Sequence, residues 1–426
     1  MVKKDVFYQL ALRTFTEEGT LRAATEHLDE LKTLGVDIVY LTACFKADGE
    51  DDRATWSKRQ IASGCNNPYN PYKMADYFTV DEEYGTDADL KAFVDRAHEL
   101  GMKVLFDLVY LHCGRNAVFL KEHPDYVIQN EDGTPKIAET WPFARLNYEN
   151  RGLREYLFQN GEYFVRNFHV DGFRCDVGDC VPLDFWKEFV ERVRALNKNV
   201  IMLNEGANPK SLEVFDYDYN GIGNAFTGEF TIDYAFSGNH EQFEKFCAYL
   251  TDTSDVARSH VNFVENHDIA TDYERLERRY AGKVELVLFM LYVSPGVPYL
   301  WNGNEYADDS ENSMFSNRFY GKRSAMNRAL AETEKGKARF ALVKKLNELF
   351  HAHPAFYDGE RTLEKHGEAL VLTCKDEHET LRAVMNFGKT AATVSDLGGR
   401  VLVSHDAETD NDAVTLEPFG FALLQS

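Results

Sequence analysis

Residues 170–179 read VDGFRCDVGD, and the fold turns on how this stretch is understood. In a β-strand, residues i and i+2 point to the same face, so Arg174 and Asp176 sit side by side where a short apolar segment ends. Taken alone, the pair is explained by an ordinary surface ion pair. Its surroundings supply another reading. Just upstream, LREYLFQNGEYFVRNF (153–168) has the period of an amphipathic helix, and downstream LDFWKEFVERVRALN (183–197) does too. The next apolar segment, NVIMLNE (199–205), again ends on a carboxylate.

The alternation continues in both directions. Upstream lie strand DVFYQL (5–10), helix TLRAATEHLDELKTLG (20–35), strand VDIVYL (36–41), helix TDADLKAFVDRAHELG (86–101) and strand KVLFDLVYL (103–111). Thr20 and Thr86 are the expected helix caps, with Gly35 and Gly101 as stops. Downstream, NAFTGEF (224–230), HVNFVEN (260–266) and GVPYLW (296–301) bring the strands to eight. Strand–helix units in such a series predict a (β/α)8 TIM barrel. The connection from His112 to Asn150 is too long for a plain loop and reads as a short inserted domain after strand three. Beyond a helix near Lys337–His351 the texture changes. EALVLTCKDEHETLRAVMNF (368–387) and the segments after it are short alternating strands broken by Gly and acidic turns. The expected organisation is a catalytic barrel over 1–352, with 112–150 as its insertion, and a C-terminal antiparallel β-sandwich over 353–426.

A chain of 426 residues with 44% hydrophobic content suits one large barrel with an accessory domain. The 47 basic and 70 acidic residues leave a formal charge of −23, which repels phosphate backbones and anionic lipid. Nucleic-acid and membrane partners are therefore not expected, and a neutral small-molecule substrate is compatible. Seven cysteines, odd in number and without CxxC spacing, indicate neither a disulfide framework nor a zinc site. The apolar run near the N-terminus is short and lacks a cleavage signal, and no run approaches the roughly 20 residues of a membrane span. A reduced, cytoplasmic location is the expectation.

In a barrel of this kind the active site lies at the C-terminal ends of the strands. Those ends carry Asp107 and His112, then Arg174 and Asp176, then Glu205, then His267 and Asp268. Two carboxylates on neighbouring strands can flank a glycosidic bond. An arginine beside Asp176 would hold it ionised as a nucleophile. Glu205, in a less charged pocket, would keep a raised pKa and protonate the leaving oxygen.

Four segments, DLVYLH (107–112), DGFRCD (171–176), NE (204–205) and ENHD (265–268), occur in this order. With YKMADYFTVDEEYGT (72–86), LNYENRGLREYL (146–157) and GVPYLWNGNE (296–305), they make the chain resemble glycoside hydrolase family 13, the α-amylase family. The resemblance implies Asp176 as nucleophile, Glu205 as general acid/base and Asp268 as the third carboxylate, which holds and distorts the sugar. It implies that Arg174 orients the nucleophile. His112 and His267 would bond sugar hydroxyls, and Tyr72 would stack beneath the ring.

Two positions depart from that family's pattern. Leu111 stands where Asn is usual, and Cys180 where His is usual. These positions supply calcium ligands in calcium-dependent members, and neither leucine nor a thiol suits a hard cation. No metal or other cofactor is expected: DGEDD (48–52) offers carboxylates to a cation but reads more readily as a solvated loop. In place of the histidine, VGDC offers Asp179 to the leaving-group side. Trp141 reads equally as a stacking platform or a core residue. Val177 follows the nucleophile as it does in some α-1,6-cleaving relatives. The leading expectation is an intracellular retaining α-glucoside hydrolase acting on α-1,4-linked glucans or maltooligosaccharides. The alternatives are an α-1,6-glucosidase, a transglycosylase or phosphorylase using the same covalent intermediate, and a catalytically silent sugar-binding barrel.

Overall fold

The computed structural model describes residues 4–137, 141–223, 230–320, 324–410 and 412–426. Eight short parallel strands form the barrel: β1 Phe7–Leu10, β2 Ile38–Leu41, β3 Lys103–Leu108, β4 Gly172–Cys175, β5 Ile201–Asn204, β6 Tyr217–Asp218, β7 Val261–Asn262 and β8 Val297–Trp301. Their order around the sheet is β6-β5-β4-β3-β2-β1-β8-β7. One parallel bridge between Asp218 and His260 closes the ring. Beside that bridge, the His260 ring nitrogen meets Asp218 Oδ1 at 2.5 Å, both residues being buried. The strands are mostly apolar because both faces are covered, the inner by facing side chains and the outer by helices, and polar residues such as Gln9, Asp107 and Arg174 interrupt them where they serve the barrel mouth. No helix among the described residues is long and apolar enough to cross a membrane.

Several of the helices between the strands start where short polar side chains satisfy exposed N–H groups. Thr86 and Asp89 form a reciprocal capping box on Asp87–Glu99. Asn150 caps Arg151–Phe168. Thr20 caps as expected, but its helix is broken into Leu21–Thr25 and Leu28–Leu34, the second ending on Gly35 at φ 96°. The expected sixth strand, 224–230, lies almost wholly outside the described residues. Tyr217–Asp218, a few residues earlier, holds the sixth place, and the Tyr217 ring packs edge-on against Phe7 at 5.1 Å.

The excursion after β3 is held by a two-residue antiparallel pairing of His112–Cys113 with Ala144–Arg145. A helix, Glu334–Ala352, leads to the C-terminal strands β9 Glu360–His366, β10 Ala369–Lys375, β11 Thr380–Asn386, β12 Ala392–Val394, β13 Arg400–Asp410 and β14 Ala413–Gln425. They form one antiparallel sheet. The long β13–β14 hairpin carries β11 beside residues 421–425 and β12 beside residues 414–416. Alternation along β10 sends Ala369 and Val371 into a small core shared with Val394, Val414 and Leu416. Leu370, Leu372 and Cys374 face the other way, into the core of the barrel.

Candidate active site

Arg174 stands at the centre of the barrel mouth, fully buried, with its guanidinium carbon 5.6–5.9 Å from the ring centroids of Tyr40, Tyr72 and Tyr219. The register between β3 and β4 sets it opposite Asp107. Its Nη1 donates to Asp107 Oδ1 at 2.8 Å and to Asp176 Oδ1 at 2.9 Å. Its Nη2 lies 2.7 Å from Glu205 Oε1, an ion pair whose angle is not that of a hydrogen bond. One cation therefore serves three carboxyl groups.

That ratio changes the expected ionisation. Burial pushes Asp176 well above the ordinary carboxylate range, the neighbouring Glu205 adds to the rise, and Arg174 opposes it. Glu205 is raised as well, again by burial first, with Arg174 opposing. The arginine does not outweigh desolvation for Asp176, because its charge is divided. The two acids act as a pair whose mutual repulsion favours keeping one proton between them. Just past Asp176, Val177 adopts a left-handed backbone at φ 45°, unusual for a β-branched residue. From there its N–H donates to Glu205 Oε2 at 2.8 Å, tying the two acids through the main chain.

The other residues arrive from neighbouring strands. Asn266 caps the short helix His267–Asp272, accepting from Ile269 N, so His267 and Asp268 occupy its first turn. Gln9, on β1, grips His267 at two points. Its Oε1 accepts the His267 N–H at 3.2 Å, and its Nε2 donates to Nδ1 at 2.7 Å. His267 Nδ1 is thereby an acceptor, which puts the ring proton on Nε2. Nε2 is 2.8 Å from the Tyr72 hydroxyl, which in turn donates to Asp107 Oδ2 at 2.8 Å. Tyr40 donates to the same oxygen at 2.5 Å. The Tyr72 ring lies nearly parallel to His267, 16° between planes and 5.2 Å between centroids. Burial drops both His112 and His267 to about 4, so both rings are neutral near pH 7. His112 Nε2 is 4.0 Å from Asp176 Oδ2.

Tyr72, His112, Asp176, Glu205, His267 and Asp268 line one cavity of about 550 Å³, with Arg174 packed beneath its floor. Sequence reasoning passed over the parts played by Gln9, Tyr40 and Asp107. It also missed Arg59, which reaches from the loop after β2 to Asp268 Oδ1 at 2.8 Å. Trp141 is half-buried and meets both descriptions offered for it, lining the cavity and packing on the core.

Two further expectations are corrected. Asp179 is not offered to a substrate: its carboxylate accepts from Asn204 Nδ2, Ala207 N and Asn208 N and pins the loop after β5. Asp48 is not part of a solvated loop. It is buried and accepts from Asn116 N and Nδ2, joining the excursions after β2 and β3. Leu111 is buried, and Cys180 is exposed on the cavity wall.

A family model described as the alpha-amylase catalytic domain matches residues 7–135 and 138–348. A cyclomaltodextrinase from a Bacillus species is 28% identical over 414 residues, 89% of this chain and 68% of that protein. An intracellular maltogenic amylase of Bacillus subtilis is 23% identical over 312 residues, and the chain spans half of its length. The crystal structure of an alpha-amylase from Lactobacillus plantarum superposes with a TM-score of 0.79, covering 99% of each chain at 24% identity, a likeness that speaks to the fold. With the barrel, the strand-end acids and a family match over most of its length, the chain belongs to the alpha-amylase family of glycoside hydrolases.

Proposed function

We propose that the protein is a cytoplasmic, metal-independent retaining hydrolase of α-1,4-linked glucans or maltooligosaccharides. The observation that carries the reading is the shared guanidinium of Arg174, which holds Asp176 and Glu205 as a coupled, buried pair in a sugar-sized cavity. Double displacement needs one carboxylate and one carboxylic acid at the bond being cleaved, and one proton on this pair supplies both.

In this reading Asp176 attacks the anomeric carbon while Glu205 protonates the departing oxygen. Glu205 then takes a proton from the water that frees the sugar from Asp176. Asp268 accepts hydroxyls of the bound sugar, and Tyr72 offers its ring as a platform. His112 and His267, neutral at working pH, line the sugar site without adding charge to a cavity already rich in acids. Arg174 touches no substrate and acts by orienting the pair. The glucan substrate is supported by the cyclomaltodextrinase and maltogenic amylase relatives, and the cytoplasmic location by the intracellular one. Metal independence is supported by Leu111 and Cys180, which offer a hard cation no oxygen donor. The surplus of negative charge favours a neutral saccharide over nucleic acid or an anionic membrane as partner.

The test is a product profile. Chelator-treated protein is incubated with maltoheptaose, isomaltotriose and sucrose, with Glu205→Gln as the blank. The expected result is short maltooligosaccharides of α-configuration from maltoheptaose, absent in the blank. Products of β-configuration would reject retention, cleavage of isomaltotriose alone would move the linkage to α-1,6, and products longer than maltoheptaose would make the enzyme a transglycosylase.

A further inference from the structure

Arg174 is committed to Asp107, Asp176 and Glu205, and Asp268 is not among its ion-pair partners. Among the described residues it makes two contacts with basic side chains. His267 Nε2 lies 3.4 Å from Oδ2, and Arg59 Nη2 donates to Oδ1 at 2.8 Å. The imidazole is neutral near pH 7, so among the described residues Arg59 is the cation in direct contact with this carboxylate. Arg59 is also held from its other side. Its Nε is 2.7 Å from Asp272 Oδ2, one helical turn beyond Asp268, and its guanidinium sits over the Phe315 ring at 5.9 Å.

The loop that carries Arg59 is built to present it. Ser57 caps the short helix Lys58–Ala62, and Gln60, buried beside it, donates to the carbonyls of Asn67 and Pro68. The side chain leaves that braced turn, enters the cavity and spans to the helix after β7. We propose that Arg59 is a positioning residue for Asp268, fixing its orientation on the cavity wall and keeping it ionised when a substrate enters. The proposal rests on the hydrolase reading for its kinetic meaning, though not for its electrostatic core.

Charged groups from several elements face Asp268. His267 and Asp272 lie on its own helix, Arg59 on the loop after β2, and Arg174, Asp176 and Glu205 at the ends of β4 and β5. Asp268 itself is held low, at about 2: burial works against this, and His267, Arg59 and Arg174 outweigh it. Removing Arg59 leaves only His267 and Arg174 to oppose burial and the neighbouring acids, so the carboxyl group should rise.

The experiment follows the side-chain carboxyl carbon of Asp268 by NMR in 13C-labelled full-length protein, assigned with Asp268→Asn, across a pH titration. Arg59→Met is expected to raise its midpoint by about 1 to 3 pH units. Arg59→Lys, which keeps a charge without the two-pronged geometry, is expected to fall between the two. Asp272→Asn leaves Arg59 in place and should keep the midpoint low. On maltoheptaose at pH 7, kcat/KM of Arg59→Met should drop on the order of tenfold, the loss lying mainly in kcat and widening toward acid pH, with partial rescue by lysine. An Asp268 midpoint unmoved in Arg59→Met would overturn the proposal. If Arg59→Met does not fold, an unmoved midpoint in Arg59→Lys, together with unchanged kcat, overturns it instead. A wild type that cleaves no α-glucoside defeats the hydrolase reading, and the titration still decides the role of Arg59.

Discussion

Arg174 meets three carboxyl groups with one positive charge, so its loss should be felt by the fold as well as by the chemistry. Arg174→Met would leave Asp107, Asp176 and Glu205 buried around an apolar side chain, an arrangement that costs about 3–5 kcal/mol when a buried partner is removed. The sign with pH follows from the raised values. A carboxyl group whose folded pKa lies above its unfolded one favours the folded state below the unfolded value, and that favour is lost as pH rises through the folded value. The penalty of Arg174→Met should therefore be larger at pH 8 than at pH 5 in urea unfolding, and equal penalties at the two would refute the account. This residue also marks how far sequence reasoning reaches. The i, i+2 rule placed Arg174 beside Asp176, and the two are 2.9 Å apart. The partnership with Asp107 depends on the register of β3 against β4, which no single segment encodes. Gln9 is a neutral amide inside an apolar strand, and Arg59 lies in a long loop without periodicity, so neither signals its contact with the site. Ionisation of Asp176 was misjudged for a related reason, since dividing one arginine among three acids is visible only once the strands are assembled.

At the scale of elements, the turn after β8 holds an acid that has no part in the proposed chemistry. Glu305 lies in the tight turn Asn304–Tyr306, 1% exposed, accepting from the Tyr8 hydroxyl of β1 at 2.7 Å and from Gly303 N at 3.0 Å. Burial raises its pKa from 4.5 to about 7, with the Tyr8 and main-chain hydrogen bonds opposing and Glu30 adding a little. Its contribution to stability is full below about pH 4.5 and is lost as pH climbs through 7. The rise corresponds to something on the order of 3 kcal/mol over that window. Glu305→Gln removes the titration. The variant starts less stable at low pH, because the amide cannot accept from both donors, and its deficit should shrink as pH rises from 5 to 8. Parallel stability curves for variant and wild type would contradict this. The elements themselves were largely legible where caps and periodicity agreed, as at Thr86 and along Arg151–Phe168. The sixth strand was not. Only two residues long, Tyr217–Asp218 falls below what a period-two pattern can register, and it is fixed by pairing with β5 and by the bridge to His260.

For the molecule as a whole, the question is whether the C-terminal sheet is an independent body or part of the barrel's core. The change of texture after residue 352 suggested a separate domain, and the antiparallel sheet is there, but alternation within its strands splits its loyalties. Val371, Val384 and Leu424 point into a core of the sheet's own. Leu372, Met385, Phe421 and Leu423 point into the same continuous core as the barrel strands. Phe421 of β14 stacks on Phe289, 4.1 Å between centroids and 6° between planes, and Phe289 belongs to Val284–Val293, a helix buried at every residue but Glu285. Arg361 of β9 adds polar ties, donating to the carbonyls of Leu250 and Val293 on the barrel and of Phe356 in the connecting turn. A surface this apolar cannot be exposed while the barrel stays folded without placing several buried side chains in water at once, each costing about 1.5–3 kcal/mol. The two parts should therefore melt together. Calorimetry on the full chain is expected to give one transition whose calorimetric and van't Hoff enthalpies agree, despite two topological units. Phe421→Ala, which empties the stack at about 3–5 kcal/mol, should lower that transition and keep it single, because the barrel loses packing as much as the sheet does. A split into two transitions, with the upper one at the wild-type temperature, would mean that the sheet merely rests on the barrel.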